Sequence, residues 1–98
     1  MNWNELPLSQ KLGNIGSEVN RAKYWEEKGV MESRNKSLDR ALELIDDSLT
    51  SDLGVARLKE LGRLREVLAD ILSDNKIYSV SIKELDSFLV NFAFLSGR

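Results

Sequence analysis

The sequence predicts an all-α protein, a compact antiparallel four-helix bundle with short loops. Apolar residues recur at steps of three and four in four separate segments, and glycines, capping residues and one proline punctuate them at short intervals. A chain of 98 residues holds one core and not two, so residues 1–98 read as a single domain.

The opening stretch, Met1 to Leu6, carries Trp3 and Leu6 ahead of Pro7. Proline near a first helical position costs no hydrogen bond, and the apolar residues before it can fold back on the first turn. The spacing then predicts a helix from Leu8 to Lys28, with Leu8, Leu12, Ile15, Val19 and Ala22 on one stripe. Gly13 and Gly16 each weaken it by roughly 1 kcal/mol relative to alanine. They mark either a close helix contact or local tolerance. Gly29 is the expected stop, with Lys28 favourably placed at the negative helix end.

A second helix is predicted over Met31 to Asp47, burying Met31, Leu38, Ala41, Leu42, Ile45 and Leu49. The short turn at Gly29 makes it antiparallel to the first. Leu49 to Gly54 reads as a loop, because Thr50, Ser51 and Asp52 compete for backbone bonds. The third helix runs from Val55 to Leu72 with Leu58, Leu61, Leu64, Leu68, Ile71 and Leu72 inward. Residues 77–81 favour strands but have nothing to pair with, so they read as a loop. Ser81 followed by Glu84 forms a capping-box pattern ahead of a last stripe: Ile82, Leu85, Phe88, Leu89, Phe92 and Leu95.

Composition narrows function by exclusion. The chain has no cysteine and no histidine, which removes disulfides, thiolate nucleophiles, thiolate-bound zinc and the side chain best suited to proton transfer near neutrality. That weighs against an enzyme, and no cofactor is expected. No run approaches a membrane span, and the start lacks the layout of a secretory signal, so a cytoplasmic protein is expected. The net charge of -2 comes from interspersed acids and bases, which implies no general affinity for nucleic acid or anionic membrane.

Several polar residues interrupt the apolar faces. Glu26 falls on the stripe of the first helix and Arg34 on that of the second, both beside the Gly29 turn. A carboxylate–guanidinium pair between them would satisfy both as a buried ion pair, serving either registry or a ligand pocket at the bundle end. On the third helix Arg57 lines up with Leu61, Leu64 and Leu68, with Glu60 and Arg65 on the edges. Its bases spread around the circumference, giving a solvated face as the main reading and phosphate or RNA contact as the other. Arg34, Arg57 and Arg65 are the candidate anion anchors. Metal binding is not expected, since Glu18 and Glu43 lie off the apolar arcs and bundle metal sites commonly add histidine.

On the last helix Val90 and Phe94, four residues apart, point away from the main stripe, as Tyr24 does on the first. They are candidates for a partner surface, a two-fold dimer being the simplest closure, against fold-back of the C-terminus over the core.

The first hairpin, Ala22-Lys23-Tyr24-Trp25-Glu26-Glu27-Lys28-Gly29 followed by Ser37 and Arg40-Ala41-Leu42-Glu43-Leu44-Ile45, resembles HEPN-like proteins. The resemblance covers roughly the first half of the chain and implies a small helical bundle, commonly dimeric, of a kind that binds nucleotides or RNA or accompanies toxin–antitoxin systems. The ribonuclease branches of that superfamily use an arginine, a polar residue and a histidine a few positions on. Arg34 and Asn35 match the first two, but Arg40 stands where the histidine would be. Arginine stays protonated and cannot act as a neutral-pH base, so the resemblance implies an inactive relative. A tetratricopeptide-like hairpin offers similar alanine and glycine spacing, although the second half does not repeat it. Two functions are therefore expected: a non-catalytic bundle acting by self-association or by binding a helical protein partner, or a nucleotide- or RNA-binding protein.

Overall fold

Helix α1, Leu8–Glu27, forms because Leu12, Ile15, Val19 and Ala22 put one continuous stripe out of water, all four fully buried. Lys11 is buried beside them, which its charge did not suggest; a long lysine stem packs well along apolar surface. The helix stops at Gly29, whose φ of 76° is open to glycine at little cost. The Gly29 amide bonds to Glu26 O at 3.0 Å and the Val30 amide to Trp25 O at 2.9 Å, the paired bonds of a Schellman turn that satisfy two of the last carbonyls.

Helix α2, Met31–Leu49, runs back along α1. It is two residues longer than the sequence indicates: Ser48 Oγ bonds to Leu44 O and Thr50 Oγ1 to Asp47 O, so the Thr50 hydroxyl, expected in the loop, instead helps satisfy the final turn. Met31 is a correction: it is 45% exposed, since the first helical residue stands at the bundle end beyond the reach of the core. The buried arc instead includes Arg34, Ser37 and Ser48 together with Leu38, Ala41 and Ile45. Leu42 and Leu49 are half-buried.

Helix α3, Val55–Ser73, begins at Gly54, whose carbonyl accepts the Leu58 amide at 3.1 Å. Its buried positions are Leu61, Leu64, Leu68 and Asp70. Leu58, Ile71 and Leu72, expected inward, are half-buried, because they lie towards the ends of the helix and on the flank of the buried stripe. Helix α4 opens after Ser81, whose Oγ accepts the Glu84 amide at 3.1 Å, one half of the predicted capping box. Its helical residues 82–87 and 89 bury Ile82, Leu85 and Leu89.

The computed structural model describes residues 8–50, 54–73, 80–87 and 89. Trp3, the strand-favouring run up to residue 79, and Phe88, Val90, Phe92, Phe94 and Leu95 lie outside them. The four helices make a compact all-α bundle with short connections. Its radius of gyration is 12.9 Å, against about 12.6 Å expected for a compact chain of this length.

Polar contacts fix the helix directions. Glu18 meets Arg40 and Glu26 meets Arg34, so α1 and α2 are antiparallel. Asp46 meets Arg65 while Arg34 meets Ile71, so α3 reverses again. Asp86 lies against Asn20 and Lys23, and Leu89 shares a groove with Leu12 and Gly13; α4 therefore descends along α1 and closes the bundle. The buried side chains of all four helices form one core. No described helix is long and apolar enough to cross a membrane.

Candidate functional site

The end of the bundle at Gly29 gathers the most unusual side chains. Arg34 is carried into the interior by the first turns of α2, with 10% of its side chain exposed. Its Nη1 donates to Glu26 Oε1 at 3.0 Å and its Nη2 to Ile71 O at 3.0 Å. A single guanidinium thereby joins α1, α2 and α3, using the fork of donors that distinguishes arginine from lysine. Glu26 itself is 42% exposed, so the pair is half-buried rather than buried: at the last turn of α1 the stripe has already reached the rim. Arg34 Nε, Asn35 Oδ1 and Ser37 Oγ are buried without a hydrogen-bond partner.

Three large apolar side chains are exposed on residues near the Gly29 turn. Tyr24, Val30 and Met31 are 50%, 41% and 45% exposed. The Tyr24 ring meets Trp25 edge-on with centroids 5.1 Å apart, and Lys28 Nζ lies 5.5 Å from its centre. Edge-to-face stacking and a cation over the ring are both favourable, and together they restrict where the ring points.

The three candidate anion anchors do not converge. Arg34 lies at the Gly29 end, whereas Arg57, in the first turn of α3, lies at the opposite end. Arg57 pairs with Glu60 at 3.2 Å on its own helix. Arg65 bonds Asp46 of α2, and that hydrogen bond and charge raise its pKa above the ordinary arginine value. Each of the three arginines thus faces a carboxylate already. Arg40 turns towards α1, where it and Arg21 share Glu18 at 3.0 and 2.6 Å, a cluster that sequence reasoning missed because the two arginines are far apart in the chain. Glu43 is exposed. Among the described residues no group of three or more acidic side chains could hold a metal ion.

A groove of about 740 Å³ lies between α1 and α4, floored by Leu12, Gly13, Gly16 and Leu89 and ending at Tyr24. A Cβ built on Gly13 or Gly16 would meet nothing within 4 Å. The glycines therefore serve no close helix contact within the described fold. The polar groups along the groove are bonded within the chain: Ser17 to Gly13 O, Asn20 to Asp86 and Arg21 to Glu18. Of the interface candidates, Tyr24 is exposed at the end of the groove; Val90 and Phe94 lie outside the described residues. No protein-family model, curated protein or solved structure matches the chain.

Proposed function

We propose that this chain is a non-catalytic helical module that acts by contact with another protein, and that the Gly29 end of the bundle belongs to the contact surface. One observation carries the reading. Of the four large apolar side chains exposed among the described residues, three, Tyr24, Val30 and Met31, gather at this end. Covering them with a partner removes apolar surface from water. The stacked Tyr24 ring loses little freedom on being covered, which is the property that makes tyrosine a frequent anchor of interfaces. A second copy of the chain is the simplest partner, since a two-fold pairing apposes the same patch on both copies.

The test is size-exclusion chromatography with light scattering over a micromolar concentration range, comparing the natural chain with the double variant Tyr24→Asp, Met31→Glu. Both residues are exposed, so the variant should keep the far-ultraviolet circular dichroism spectrum. The reading expects a dimer that the variant converts to monomer. A natural chain that is monomeric throughout would sink self-association. Titration with short RNA at low salt probes the alternative of nucleotide or RNA binding; no described geometry favours it, because Arg34, Arg57 and Arg65 are each bonded to a carboxylate.

A further inference from the structure

We infer that Arg34 is a latch seating α3 on the α1–α2 hairpin, and that α3 is released before the hairpin itself opens. Ile71 O lies among the last four carbonyls of α3, which no amide of that helix can satisfy. The guanidinium of α2 caps it from outside at 3.0 Å, and a positive charge there also complements the helix dipole. Because the same guanidinium holds Glu26 of α1, the latch is anchored on the hairpin.

The groups that make this latch are easily rehydrated. Glu26 is already 42% exposed, so it stays with Arg34 in water when α3 leaves, and no charge is stranded. Arg34 Nε, on the same guanidinium, is buried and unpartnered in the closed form. Opening hydrates any of these groups that the departing helix uncovers, which lowers the cost of opening at this position relative to a fully bonded seam. α3 is also seated by Leu61, Leu64 and Leu68, with Val67, Ile71 and Leu72 packed against the same core, and Gly62 in its interior weakens the helix itself. Its salt bridge to Asp46 is half exposed on both sides and adds little in water. By contrast α2 is joined to α1 by a tight turn and two cross-helix carboxylate–arginine pairs.

Native-state amide hydrogen exchange tests the inference. In the natural chain, central α3 amides should be about tenfold less protected than central amides of α1 and α2. Arg34→Lys keeps a charge for Glu26 but loses the fork; it should lower α3 protection by a further factor of about ten while changing α1 and α2 by less than about threefold. Glu26→Gln leaves the bond to Ile71 in place and should leave α3 within about threefold of the natural chain. Equal protection of the three helices in the natural chain would overturn the inference, whether or not the variants fold. So would a uniform loss in Arg34→Lys, or a loss in Glu26→Gln as large and as confined to α3.

Discussion

Helix α2 offers two different seams to its neighbours. Residues three and four apart share a helix face, so Arg40, which reaches α1, stands with Ser37 and Leu44, and Asp46, which reaches α3, stands with Leu42 and Leu49. The face towards α1 therefore reads Ser37, Ala41, Leu44 and Ser48, with three small residues fully buried. The face towards α3 reads Leu38, Leu42, Ile45 and Leu49, in one core with Leu61, Leu64 and Leu68. Small side chains let two backbones approach; large ones fill the space between helices standing further apart. The first seam is made by closeness and the second by mass, so they should fail under opposite substitutions.

The largest effect is expected where mass is removed. Leu68→Ala empties a fully buried site and should destabilise the bundle by about 2–5 kcal/mol in urea unfolding. Ala41→Leu tests the other seam. The added side chain has no room at a 0% exposed position and should cost about 1–3 kcal/mol by forcing α1 and α2 apart. Should Ala41→Leu prove neutral while Leu68→Ala is severe, the α1–α2 seam would not be close-packed and the contrast would fall.

The difference between the seams also explains what the sequence revealed. The leucine–isoleucine face of α2 was legible because apolar residues at steps of four and three are the primary signal of an amphipathic helix. Of the small seam only Ala41 was, although Ser37 and Ser48 follow the same spacing, because serine counts as polar in such a pattern. Its signal was positional: Ser48 bonds the carbonyl four residues back, so its hydroxyl is satisfied within the helix and the side chain packs as a small group. Burial of Lys11 and Asp70 had no signal in the stripe, since it depends on groups brought close by the fold. At the candidate site, Glu26 and Arg34 were visible as breaks in two stripes. The third partner, Ile71 O, was not, because a backbone carbonyl leaves no trace in residue type.

The turn that brings α1 and α2 together is the next point of leverage. Gly29→Ala places a Cβ on a residue with φ of 76° in open space, so the whole cost is backbone strain, about 1–2 kcal/mol. Thermal melts should show the loss, and Gly29→Asn should recover part of it, since asparagine tolerates this conformation better than alanine.

The smallest effect has the opposite sign. Gly16 sits inside α1 on the side facing the α4 groove, and a methyl group there would touch none of the described residues within 4 Å. Alanine in a helix interior is favoured over glycine by about 0.8–1 kcal/mol, so Gly16→Ala should raise the urea midpoint with no change in slope. The comparison with Ala41 is direct: α1 has one face, towards α2, where bulk is excluded and another, towards α4, where it is free. A loss of stability in Gly16→Ala would mean that something approaches the α1 backbone closely at this face. The contrast would then have to be redrawn with α1 close-packed on both sides, because a Cβ in open space has no means of destabilising a helix that already prefers alanine.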